Sequence, residues 1–134
     1  MSSAALALQK AVWAELVANG AAGALIGDRI YDQPPRNVVF PYATIGPVTV
    51  TDWSTGTEDG SEHRLMLHAW SRERGLSECH AIVETIRAAL HGATLTLDGH
   101  ALVNLRFETA DARRDPDGIT FHGVLRFRAV TEPA

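Results

Sequence analysis

The spacing of apolar positions changes along the chain, and each change marks an element. Leu8, Val12 and Leu16 recur every four residues with Ala5 and Trp13 alongside, while Gln9 and Lys10 fall elsewhere. That is the stripe of an amphipathic helix. Ser2 or Ser3 can cap it, and Asn19-Gly20 stops it after about Val17. The small-residue stretch AAGALIG (21–27) reads as a turn with Leu25 and Ile26 tucked beneath the domain. RIYD (29–32) reads as a short strand. QPPRN (33–37) reads as a loop, since its prolines have no ladder hydrogen to donate.

The period then falls to two. VVFPYATIGPVTV (38–50) is β-branched and aromatic but broken by Pro41 and Pro47, which predicts an edge strand or a bent one. TDWSTGTEDGSE (51–62) is polar, acidic and glycine-containing, a long hairpin loop with one exposed aromatic, Trp53. HRLMLHAWS (63–71) alternates Leu65, Leu67 and Ala69 against Arg64, Met66, His68 and Trp70. Apolar groups on both faces predict a central strand. Ser77 is the expected cap of a second helix, ECHAIVETIRAALH, closed by Gly92. Cys79, Ile82, Val83, Ile86 and Leu90 share its apolar face, and His80, Glu84, Arg87 and His91 its wet one.

TLTLDGHALV (94–103) carries Asp98-Gly99 as a two-residue turn. Leu95, Leu97 and Leu102 are out of phase with Val103, Leu105 and Phe107, which calls for a bulge near Leu102. In RRDPDGITFHGVLRFRAV (113–130) the Asp115-Pro116-Asp117-Gly118 turn is read as a three-residue loop with a glycine bulge. That register sets Phe107 opposite Phe127, Thr109 opposite Leu125 and Glu108 opposite Arg126, with Ile119, Phe121, Leu125 and Phe127 inward. The expected class is α+β: two helices on one face of an antiparallel, mixed-order sheet with hairpins, in one domain spanning 1–134.

Composition narrows the field. A net charge of −4 over 134 residues leaves no basic footprint for nucleic acid. One cysteine, Cys79, rules out an internal disulfide and fits a reducing compartment. No run of about 18 apolar residues is present, and the reading is a soluble protein made and used without export. Chemistry is hard to find. His63 and His68 point to opposite faces of their strand, and His91 is three turns from His80, so neither pair is placed to ligate a metal. No HExxH, GxSxG or phosphate loop occurs. Cys79 sits on an apolar face as an inert thiol, although a place near a helix start can lower a thiol pKa. Glu58, Asp59 and Glu62 crowd one loop without a partner base. Asp111 and Asp115 beside Arg113 and Arg114 read as a local salt network. No catalytic residue, metal or cofactor is assigned. Met66, Trp70 and Val124 lie opposite the Leu65, Leu67 and Phe127 core. Trp70 with Arg64, Arg126 and Arg128 is a combination that interfaces favour.

Taken in order, RIYDQPP, FPYATIG, EHRLMLHAWS, a helix ending in ALHG, TLTLDGHALVNL and RDPDG…HGVLRFRA resemble the tail-completion, or tail-terminator, family of long-tailed phages, prophages and gene transfer agents. The likeness runs from about Leu6 to Val130, and its specificity lies in the order and spacing of short structural motifs. It implies a lambda tail-terminator-like architecture assembled in the bacterial cytoplasm as a ring, expected to be hexameric. The ring would cap the tail tube at its head-proximal end, stop polymerisation of the major tail tube protein and meet the neck or stopper protein at the head–tail junction. DNA would pass through the lumen without specific binding. The expected partner contacts are the 51–62 loop with Asp52, Trp53, Glu58, Asp59 and Glu62, the hairpin tip with Arg113, Arg114 and Asp115, and Trp70. A neck or head-completion ring of the same particle is the nearest alternative. A small hydrolase or ligand-binding domain using His68, His80 or Cys79 is one of another class.

Overall fold

The computed structural model describes residues 3–134, which form three helices and a six-stranded sheet, an α+β fold. Helix α1 (Ala4–Ala18) begins where the Ser3 hydroxyl accepts the Leu6 amide at 3.1 Å; Ser2, the other candidate cap, lies outside the described residues. Leu8, Val12 and Leu16 are buried as their spacing predicts. Trp13 is not, although its indole N–H donates to the Ile30 carbonyl at 3.1 Å and ties the helix to the first strand.

Segment 21–27 is a correction. It forms a second helix, α2 (Gly20–Ile26), because the Asn19 side chain caps it by accepting the Ala22 amide at 2.9 Å. Once capped, its alanines and leucine favour helix enough to offset two glycines. Ile26 is buried and Leu25 partly so. The helices therefore number three among the described residues, not two.

The sheet order is β1-β2-β3-β6-β5-β4. Strand β1 (Ile30–Tyr31) runs parallel to β2 (Tyr42–Asp52), and every other neighbour pair is antiparallel. β2 is bent, as its prolines require: the pairing shifts between Ile45 and Val48, where Gly46 takes φ 118° and Pro47 has no amide hydrogen. β1 covers only Ala43 and Thr44, so β2 is an edge beyond its bend and not before it. β3 (Ser61–Ser71) is central, with Leu65, Leu67 and Ala69 buried. Helix α3 (Ser77–Leu90) buries Cys79, Ile82, Val83, Ile86 and Leu90. Ser77 is its first residue and not its cap; Leu76 holds the cap position without a side-chain bond.

β4 (Thr96–Leu97) turns at Asp98-Gly99 into β5 (His100–Arg114), which pairs with β6 (Phe121–Pro133). The bulge expected near Leu102 is present, with Val103 the extra residue between the Leu102–Thr131 and Asn104–Val130 pairs. The tip differs from expectation. The Asp115 amide donates the closing bond to the Thr120 carbonyl at 2.8 Å, so four residues form the loop. The Asp117 carboxylate draws the chain round by accepting the Ile119 and Thr120 amides at 2.9 and 2.8 Å. Ile119 therefore turns outward, 58% exposed, and does not join the core. A second bulge at Glu108 then puts Thr109 opposite Arg126, not Leu125, and leaves Glu108 without a facing residue. The extra loop residue and the extra strand residue offset each other, so Phe107 does face Phe127. Phe121, Leu125 and Phe127 are inward as expected.

Leu8, Val12 and Leu16 of α1, Ile26 of α2 and Ile82, Val83, Ile86 and Leu90 of α3 join Leu65, Leu67, Leu105, Leu125 and Phe127 in one hydrophobic cluster. The other sheet face carries Arg64, Met66, His68 and Trp70 opposite Arg128, Arg126, Val124 and His122. No described helix is long and apolar enough to cross a membrane.

Candidate contact surfaces

The two ends of the β3–β6 ladder hold the candidate residues. Ser61 pairs with Thr131 at one end and Ser71 with Phe121 at the other. At about 3.3 Å per residue the ends lie roughly 33 Å apart. The candidates therefore form two patches.

The first patch is the loop after β2. The Asp52 carboxylate accepts the Ser54 amide and hydroxyl at 3.1 and 2.6 Å, and these bonds hold its pKa below the usual carboxylate value. The Gly60 amide donates to the Ser54 hydroxyl at 3.2 Å, and the Glu58 amide to the Thr55 hydroxyl at 3.0 Å. The loop is thus braced by its own short polar side chains, an order that its composition alone did not promise. Trp53 is 54% exposed, with the Arg128 guanidinium 5.1 Å above its ring. Arg128 also donates to Glu62 at 2.6 Å, and Arg64 pairs with both Glu62 and Glu108. Glu62 is therefore bound into the sheet face and does not belong to a free acidic loop. Glu58 and Asp59 are exposed, beside Trp53 and Val103 on a cleft of about 200 Å³.

The second patch gathers around the hairpin tip. Trp70 stacks on His122, with centroids 3.8 Å apart and planes 10° apart, and on Tyr42 at 6.0 Å. Its indole N–H donates to the Thr44 hydroxyl at 3.2 Å. His68 lies 2.7 Å from His122, Nδ1 to Nε2, and 3.0 Å from the Gly46 carbonyl through Nε2. Asp115 stands 3.7 Å from the far nitrogen of His122. The local salt network expected among Asp111, Asp115, Arg113 and Arg114 does not form. Asp111 pairs across the hairpin with Arg126 at 3.2 Å, and the Arg114 guanidinium lies 5.5 Å over Phe121. Strand alternation puts Arg114 on the face opposite Asp111 and Arg113, and the outward Asp111 carboxylate meets Arg126 from the neighbouring strand. The sequence reading missed Tyr42 and the imidazole pair. Their signal is outward parity on each strand, but it takes the β2–β3 register to bring Tyr42 to Trp70 and the β3–β6 register to bring His122 there.

The remaining histidines and the thiol separate. His63 turns inward and shares a 2.9 Å bond with Thr131, while His68 turns outward, as strand parity requires. His80 is exposed, and His91 accepts the Phe107 amide at 3.0 Å through Nδ1. Cys79 is fully buried, and burial pushes its thiol up to about 11. Its place near the start of α3 does not lower it, so it is no nucleophile at neutral pH. Among the described residues no group of three His, Cys, Asp or Glu side chains is placed to hold a metal ion.

The described surface thus holds a loop braced by its own side chains and a sheet face cross-linked by ion pairs, with the one thiol buried beneath. Comparison with known proteins makes the class specific. The family Tail completion protein gp17 matches residues 10–132, and the chain belongs to that family. It is 26% identical over 101 residues to the tail completion protein gp17 of Bacillus phage SPP1, with 75% of each chain covered. Its structure is similar to a chain in the virion of a native gene transfer agent particle, with TM-score 0.90 and 34% identity over 98% of this chain and 99% of that one. It is also similar to bacteriophage SPP1 gp17, with TM-score 0.64 and 25% identity over 94% and 89%. The protein is a tail completion protein, a structural component of a phage or gene transfer agent particle and not an enzyme.

Proposed function

We propose that this chain is the tail terminator of its particle, a single lambda tail-terminator-like domain whose copies close into a hexameric ring. The ring caps the tail tube at its head-proximal end, stops polymerisation of the tube protein and joins the tail to the neck or stopper protein. The observation that carries this reading is the end-to-end similarity to a chain resident in a gene transfer agent virion. A subunit between two unlike rings needs contact residues at both ends. The Asp52–Trp53 loop with Glu58 and Asp59 supplies one set, and Trp70 with Arg113, Arg114 and Asp115 the other. Closing a ring takes a heterologous interface, one surface of a subunit against a different surface of the next. A net charge of −4 suits a lumen through which DNA slides without its phosphates being neutralised. Assembly takes place in the bacterial cytoplasm, and the mature protein sits at the head–tail junction.

Particles assembled without the protein are expected to carry tail tubes of uncontrolled length in electron micrographs. Tails of normal length attached to leaking heads would refute termination. The loop assignment has its own test. Changing Glu58 and Asp59 to lysine together, with the ion-paired Glu62 left native, should lower the yield of joined particles roughly tenfold, the factor carried by about 1.4 kcal/mol. Full joining by that variant would remove the loop from the interface.

A further inference from the structure

We propose that His68, His122 and Asp115 form a proton-operated latch, in which one proton taken up by the imidazole pair ties the hairpin tip to the aromatic shelf of Trp70. The inference stands on the donor and acceptor inventory of the site and does not depend on what docks there. The Gly46 carbonyl can only accept, so His68 Nε2 carries a hydrogen. A neutral His68 then presents a lone pair at Nδ1, and the 2.7 Å contact requires His122 Nε2 to be the donor. A neutral His122 is left with a lone pair at Nδ1, facing the Asp115 carboxylate at 3.7 Å. Two acceptors oppose each other there, which is why the gap exceeds hydrogen-bond length.

One further proton completes the chain. With His122 Nδ1 protonated, every nitrogen along Gly46–His68–His122–Asp115 has a complementary neighbour, and the carboxylate balances the single positive charge. The 3.7 Å separation can then close to a charge-assisted bond of about 2.8 Å. A second proton sets two N–H groups against each other across the 2.7 Å contact, so it is taken up only at lower pH, as that contact breaks. The pair thus takes up its protons in two separate steps.

The surroundings fix the direction. Burial holds both imidazoles below their ordinary value, and each is lowered further by positive neighbours: Arg126 and Arg113 for His68, His68 and Arg113 for His122. Asp115 and, from β5, Asp111 act the other way on His122, and the Gly46 bond does so on His68. Tyr42 stacks on Trp70 and lies within electrostatic reach of Arg72 and of Asp115 itself; burial raises its phenol pKa, so it stays neutral while the imidazoles titrate. The latch is therefore open at neutral pH and closes on acidification below about 6.5, the ordinary imidazole value.

The test is a proton NMR titration of the histidine rings in the full-length protein, with the Gly118 amide followed as a reporter of the tip. In the native protein both rings should show two-step curves, and the Gly118 amide should shift with the first step. Asp115→Asn should move that step to lower pH and abolish the Gly118 response. His68→Gln should leave His122 with a single step. Independent one-step curves for both rings, or an Asp115→Asn variant that titrates like the native protein, would overturn the latch. Asp115 is only partly buried and Asn matches it in size, so its variant gives a result even if the His68 variant fails to fold.

Discussion

Phe127→Ala is expected to lower the free energy of unfolding by about 3–5 kcal/mol, measured by urea denaturation monitored by circular dichroism. Phe127 has no exposed surface and lies on β6, the strand between β3 and β5. It pairs with Leu65 on one side and with Phe107 on the other, and the two phenyl rings meet edge to face with centroids 5.7 Å apart. Truncation would open a void where three strands and the helices converge, and it would also lose the aromatic pair, worth about 0.5–1.5 kcal/mol beyond its area. Domains of this size are stable by about 5–15 kcal/mol, so one substitution removes a large share of the total. A loss below about 1 kcal/mol would mean that the neighbours collapse into the space. Phe127 would then not be the keystone its position implies.

Gly123→Ala should be the most damaging change that adds a single methyl group. A Cβ at this position would lie 2.5 Å from Val83 Cγ2 and 3.1 Å from Cys79 Sγ, so α3 rests directly on the β6 backbone. Overpacking of this kind costs about 1–3 kcal/mol. The cause can be isolated by adding Val83→Ala, which removes the group struck. The double variant should be more stable than the sum of the two single losses predicts, and a coupling within about 0.5 kcal/mol of zero would refute the steric account. This glycine is required by a close approach and not by its dihedral angles, so nothing local in HGVLRF reveals it.

The same distinction governs what the sequence disclosed. α1, α3 and the inward face of β3 were legible because their apolar periodicity is local: Leu8, Val12 and Leu16 needed no knowledge of the rest of the chain. Segment 21–27 reads as a turn because its glycines and small side chains give no periodic signal, and the feature that makes it helix is a single asparagine cap. The hairpin is the more instructive case. The three-residue loop that its turn chemistry predicts is one residue short and omits the Glu108 bulge, yet it matches Phe107 with Phe127 because the two offsets compensate. A correct pair in a hairpin is therefore weak proof of a correct turn. Of the candidate surface, Trp53 and the loop acids were legible as exposed polar sequence. The ion pairs Glu62–Arg128 and Asp111–Arg126 and the His68–His122 contact depend on register between strands far apart in the chain, which periodicity cannot supply.

The twin irregularities of β5 also bear on how such an arm changes over evolutionary time. Leu102, Leu105, Phe107, Ala110 and Ala112 face the same way only because Val103 and Glu108 stand out of the ladder. Those two positions are slack in the thread. A homologue that lost one of them and shortened its tip by one residue would keep the Phe107–Phe127 match and every inward side chain, so length drift in this arm need not alter the surface that the particle uses.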